Sequence, residues 1–117
     1  MLSGQKITRF CMRFDVISLF PSLIESSFKY GITGRALRSN KIVLKTWDPR
    51  EFSEQINGRI DDHPYGGGSG MVMQADPLIK AIRKAKEKSS NPYVIYMSPQ
   101  GKLLNQNKAV EFSNKEH

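Results

Sequence analysis

Cysteine is nearly absent: Cys11 is the only one in 117 residues. A lone thiol closes no internal disulfide and builds no metal cluster, and such sparing use of cysteine fits a reducing compartment. Histidine is almost as scarce. His63 and His117 stand far apart in the sequence, one near a loop and one at the end, a spacing that gives neither a metal site nor a Ser-His-Asp system. No apolar run approaches the length that spans a bilayer, and residues 1–11 lack the apolar stretch of a secretory signal. The expectation is therefore a cytoplasmic protein with no membrane partner. Neither G-x-G-x-x-G nor G-x-x-x-x-G-K-S/T occurs, which argues against a dinucleotide-binding or P-loop enzyme.

What is present is positive charge. Eighteen Lys and Arg against 11 Asp and Glu leave a net charge of +7. A polyanion such as RNA suits that balance, because basic side chains displace the counterions condensed on phosphates. The charges are spread along the chain rather than gathered in one block, so the excess permits RNA without demonstrating it. With 38% hydrophobic residues, the length fits one modest globular domain.

Taken in order, Met1 to Cys11 is polar and unpatterned and reads as an extension before a domain at 12–117. Phe14–Phe20 is nearly continuous apolar sequence, as in a strand buried on both faces. Pro21 opens a helix whose Leu23, Ile24 and Phe28 share a face, and Gly31 closes it. Thr33 caps a second helix to Arg38, with Arg35 and Arg38 on one side. Ile42–Trp47 is a second strand, and Ser53–Ile60 is polar loop. Asp76-Pro77 starts a helix that buries Leu78, Ile79, Ile82 and Ala85 and turns Lys80, Arg83, Lys84, Lys86 and Lys88 outward. Tyr93–Met97 is a third strand, running into a Ser98–Gly101 turn, and helical spacing returns over Asn105–Phe112. This alternation predicts an α/β fold, a mainly parallel sheet flanked by helices, with ligands expected at the strands' carboxyl ends.

Two connections could carry chemistry. Four of nine glycines fall between Gly66 and Gly70, inside Asp61–Met73 (DDHPYGGGSGMVM). Glycine loses the most freedom on ordering, so an ordered run of it needs unusual backbone angles or close approach to a ligand; a plain surface linker has the same composition. Asp61 and Asp62 are adjacent, which supports a paired acid–base role only weakly; either can orient an amine, or simply support the loop. The turn after the third strand (YMSPQG) offers backbone donors and acceptors, a hydroxyl and a flat amide beside an apolar wall. That suits adenine or ribose better than a phosphate chain, and an ordinary strand-ending turn reads the same way.

Together Phe14–Pro21 (FDVISLFP), Gly34-Arg35-Ala36, Asp61–Met73 and Tyr96–Gly101 resemble the bacterial tRNA (guanine-N(1)-)-methyltransferase family, with the motifs in order and the likeness running from Met12 to about Glu116. The resemblance implies a SPOUT-type α/β methyltransferase with a trefoil knot, working as a homodimer on tRNA. It implies methyl transfer from S-adenosylmethionine to the guanosine just 3′ to the anticodon, with no metal needed to bind the donor. Tyr96, Met97, Ser98, Pro99, Gln100 and Gly101 would form one wall of the cofactor pocket. Asp61, Pro64, Tyr65, Gly66, Gly67 and Gly68 would approach the target base.

Two features depart from the pattern. Ser69 stands where the family usually has proline. The family's Gly-Arg-Tyr-Glu-Gly loop and its later catalytic Asp and Arg have no counterpart among the 117 residues, so no catalytic residue is assigned here. The expectation is an amino-terminal part of the methyltransferase domain that stops before the knot is complete, inactive alone and prone to self-association through exposed strand edges. The rival reading is a non-catalytic RNA-binding α/β module.

Overall fold

A computed structural model describes residues 11–53, 61, 62, 72, 73 and 75–117. Two strands form its centre, β1 (Met12–Ile17) and β2 (Ile42–Trp47), paired in parallel from Met12 opposite Ile42 to Ile17 opposite Trp47. Parallel neighbours need a crossover, and α1 (Pro21–Ser27) and α2 (Gly31–Arg38) supply it. A short 3-10 turn follows at Pro49–Phe52, then an antiparallel pair, β3 (Asp61–Asp62) with β4 (Val72–Met73). Two further helices complete the order, α3 (Ala75–Lys86) and α4 (Gln106–Ser113). Strands first and helices between them make the fold α/β, as the alternation implies.

Local signals explain most boundaries. Pro21 occupies the first turn of α1, where a missing N–H costs nothing. Asn105 caps α4 by accepting from the Lys108 N–H at 2.8 Å. Asp48 does the same for the 3-10 turn, its Oδ1 accepting from the Arg50 N–H at 2.9 Å. The Arg50 guanidinium, hydrogen-bonded to the same carboxylate, is the main reason the Asp48 pKa is lowered.

Four boundaries differ from the sequence expectation. β1 runs Met12–Ile17 rather than Phe14–Phe20, the span over which it is paired with β2, and it is only partly buried, with Phe14 exposed. Gly31 does not end α1; it turns the corner into α2 with a φ of +70°, and α1 stops at Ser27. Thr33 lies inside α2, donating to the Tyr30 carbonyl at 3.3 Å, while Tyr30 takes the capping position. Asp76 sits within the first turn of α3 and pairs with Lys80 at 3.2 Å, a placement the helix dipole favours as much as a cap.

Packing is thin. Pro77, Ala81 and Ala85 form the buried row of α3, and α3 lies on β1 and on the Pro49–Phe52 turn. Ile79, expected inside, is exposed, because four-residue spacing from Pro77 leaves it off the buried row. Gly34 is buried against the preceding turn: a Cβ there would stand 2.4 Å from the Lys29 carbonyl oxygen. Thr46 ties β2 to α1 by donating to Glu25 at 2.6 Å.

The expected third strand, Tyr93–Met97, is not a strand in the structure. Its side chains are 44% to 84% exposed, and among its backbone groups Tyr93 N–H reaches the His117 carbonyl at 2.9 Å. A run of aromatic and β-branched residues sets the propensity for a strand, but a ladder needs a neighbour in register. Here β1 and Tyr93–Met97 are separated by an apolar cavity of about 820 Å³.

The tightest polar cluster lies at the mouth of that cavity. Asp15 Oδ2 accepts from Arg13 Nε at 2.7 Å and lies 2.6 Å from His117 Nε2; Oδ1 accepts from Arg13 Nη2 at 3.0 Å and Trp47 Nε1 at 2.8 Å. An ionised carboxylate only accepts, so His117 donates through Nε2, and in the neutral ring Nδ1 accepts from the Ser89 hydroxyl. The Asp15 and His117 side chains are 4% and 7% exposed. Burial pushes the Asp15 carboxyl up, yet the hydrogen bonds from Arg13, Trp47 and His117 outweigh it and its pKa is lowered from 3.8.

Two outcomes follow for stability. Asp15→Asn strands buried donors and costs about 3 kcal/mol at neutral pH, measured by urea unfolding. Because folding depresses the carboxyl, its contribution is complete above pH 3.8 and drains away as pH falls below that value through the lower native one; the variant's stability changes less across the same window. Gly34→Ala forces a methyl group into the Lys29 carbonyl and costs about 1–3 kcal/mol in the same assay.

Candidate cofactor and nucleic-acid site

The segment Tyr96–Gly101 begins as extended chain and closes in a tight turn. Gly101 N–H donates to the Ser98 carbonyl at 3.1 Å, and Gln100 N–H to Ser98 Oγ at 3.1 Å. Ser98 therefore holds its own turn, a local motif that serine favours because its hydroxyl can mimic a backbone acceptor. A Cβ at Gly101 would lie 3.3 Å from the Ser98 carbonyl oxygen, so the bend is closely wrapped. Ser98 is half-buried, while Tyr96 and Met97 are 81% and 84% exposed and Pro99 and Gln100 are exposed.

Behind this turn is a second cavity of about 580 Å³, lined by Met97, Ser98, Pro99, Lys102, Leu104 and Phe112 among others. Tyr93 and Phe112 meet at a 51° tilt with 5.7 Å between centroids, and both line it. Apolar surface on one side and backbone polar groups on the other can receive a flat heterocycle with hydroxyls attached, which the adenosine part of S-adenosylmethionine has. The six residues expected at the cofactor are thus contiguous along one bend, and all but Gln100 line this cavity.

The expected base-binding residues are placed only in part. Asp61 pairs by its backbone with Met73, and Asp62 with Val72, so the two ends of the Asp61–Met73 stretch are tied together. Pro64, Tyr65, Gly66, Gly67 and Gly68 lie outside the described residues, as do His63 and Ser69.

Basic side chains are plentiful on the helices. Arg83, Lys84, Lys86 and Lys88 are exposed on and just after α3, and Arg35 is exposed on α2. Arg38 is engaged locally, donating to the Lys29 carbonyl at 3.1 Å. Lys45 and Lys88 flank the Trp47 ring, 5.3 and 6.0 Å from its centroid. Among the described residues no group of three or more His, Cys, Asp and Glu could hold a metal ion, and no helix is long and apolar enough to cross a membrane.

Sequence reasoning missed the Ser89–His117–Asp15 chain. Its contacts are not those of a nucleophile system: all four acceptor positions of the carboxylate are taken, and the side chains of His117 and Asp15 are nearly closed to solvent. It clamps the end of the chain to β1. The signal available was Arg13 and Asp15, a charged pair two residues apart inside an apolar strand.

Comparison with known proteins adds what geometry leaves open. Residues 12–117 match the family model described as tRNA (Guanine-1)-methyltransferase TrmD. The tRNA (guanine-N(1)-)-methyltransferase of Nitrosospira multiformis is 50% identical over 105 residues, covering 86% of this chain and 41% of that protein. Its counterpart in Buchnera aphidicola subsp. Baizongia pistaciae is 47% identical over 107 residues, covering 91% and 43%. The crystal structure of the tRNA (m1G37) methyltransferase from Aquifex aeolicus superposes with a TM-score of 0.81 at 37% identity, covering 90% of this chain and 47% of that one. The chain thus spans less than half the length of these relatives. A match over all but the first eleven residues, with the α/β fold shared, shows that this chain belongs to the tRNA (guanine-1)-methyltransferase family.

Proposed function

We propose that this chain carries the donor-binding bend of a tRNA (guanine-N(1)-)-methyltransferase, which transfers a methyl group from S-adenosylmethionine to N1 of the guanosine 3′ to the anticodon. The observation that carries it is the family match across residues 12–117, within which Tyr96–Gly101 forms a wrapped turn over an apolar cavity. In such a transfer the S–CH3 bond breaks as the N1–CH3 bond forms, and N1 gives up its proton. Alignment of the two reactants supplies much of the rate.

On this reading Tyr96, Met97, Ser98, Pro99, Gln100 and Gly101 hold the adenosine portion through backbone groups and apolar contact. Asp61, Pro64, Tyr65, Gly66, Gly67 and Gly68 face the base, and the exposed cations of α3 meet tRNA phosphates. The whole protein works as a cytoplasmic homodimer. Catalytic groups belong to the portion of the family protein that this chain does not span, so the chain alone binds in part and transfers nothing.

Calorimetric titration with S-adenosylhomocysteine tests the assignment. Binding to the chain is expected, and Ser98→Trp weakens it by at least about tenfold by filling the turn. Salt-sensitive RNA binding without affinity for the nucleoside would favour a non-catalytic RNA-binding module instead. Incubation with labelled S-adenosylmethionine and transcript tRNA is expected to leave the RNA unlabelled; incorporation of label would overturn the placement of the catalytic groups outside this chain.

A further inference from the structure

We propose that Lys102 recognises the α-carboxylate on the amino-acid tail of the methyl donor, so that the chain selects nucleosides carrying that tail over those lacking it. The inference rests on the reading of Tyr96–Gly101 as the donor-binding wall and adds the end of the ligand that this wall does not address. S-adenosylmethionine has two unlike parts. Its adenosine is flat and uncharged and suits an apolar surface edged by backbone groups. Its tail carries a carboxylate and an ammonium, which need partners of their own when they leave water.

Charge around the cavity behind the turn is of one sign. Among the described residues that line it, Lys102 and Lys108 are the charged ones, and no carboxylate is present. The two lysines are not equivalent. Lys108 Nζ donates to Glu111 Oε1 at 3.3 Å and lies 5.8 Å from the centroid of the Phe112 ring. Its charge is met within α4, by a pair three residues apart of the kind that helices favour. Lys102 is exposed and has no acidic partner among the described residues. It can therefore take up an incoming anion without giving one up.

Position adds to charge. Lys102 directly follows Gly101, whose N–H closes the bend on the Ser98 carbonyl at 3.1 Å, while Ser98 Oγ accepts from the Gln100 N–H at 3.1 Å. The backbone from which Lys102 springs is thus held, and its ammonium rides on a flexible four-carbon stem that can reach a carboxylate as a point charge. A lining whose formal charges are positive complements the carboxylate of the donor and repels its ammonium and sulfonium. That sets the tail's orientation, carboxylate toward Lys102.

Calorimetric titration with two nucleosides separates the parts. One is S-adenosylhomocysteine; the other is 5′-methylthioadenosine, which keeps adenosine and sulfur but lacks the amino-acid tail. Lys102→Gln is expected to weaken S-adenosylhomocysteine by about fivefold, the size of an ion pair that stays partly in water, and to leave 5′-methylthioadenosine unchanged. Lys102→Arg keeps the charge and is expected to hold S-adenosylhomocysteine near the parent affinity. Added salt narrows the gap between the parent and Lys102→Gln. Both variants melt at the parent temperature, because the side chain is exposed. Equal loss for the two nucleosides, no loss for either, or a loss in Lys102→Arg as large as in Lys102→Gln would overturn the assignment and leave the donor wall standing. If the parent chain binds neither nucleoside, the donor wall itself falls and the role of Lys102 with it.

Discussion

The Asp15 carboxylate is the joint of this structure. One buried group accepts from Arg13 on its own strand, from Trp47 on β2 and from His117 near the end of the chain. Burying a charge is unfavourable unless every lone pair is met, and here each oxygen has two partners. That condition fixes the register of β1 against β2 and sets residues 115–117 beside β1. With so few fully buried apolar side chains among the described residues, a saturated polar cluster does work that a larger core would otherwise do.

The same joint shapes the apolar surface. It holds His117 against β1, and the His117 carbonyl accepts from the Tyr93 N–H on the other side. The apolar residues of that segment then face a cavity on one side and the Ser98–Gly101 turn at the end. The candidate cofactor wall is therefore not an independent loop. It continues the segment before it, whose Tyr93 N–H is bound to the His117 carbonyl.

Elements governed by short-range chemistry were legible in the sequence. Pro21 opened α1, Ile42–Trp47 formed β2 with the expected limits, and α4 came within a residue of its expected bounds because Asn105 caps it. The self-bonded Ser98 turn is likewise local. Gly31 was misread because a glycine that closes one helix and a glycine that opens the corner to the next look alike along the chain. Ile79 was misread because several apolar stripes were available on α3, and the neighbour chose among them.

By itself the sequence determined the alternation of strands and helices, the basic excess, the wrapped turn at Ser98–Gly101 and, through four motifs in order, the family. These rest on spacing and local hydrogen bonding, which a residue carries wherever it sits. Tertiary structure alone decided that Tyr93–Met97 would lack a ladder, that Asp15 would gather donors from residues 2, 32 and 102 positions away, and that an apolar slot would open beside β1. Those outcomes depend on which groups meet across long stretches of chain, and no local pattern encodes the meeting of two surfaces.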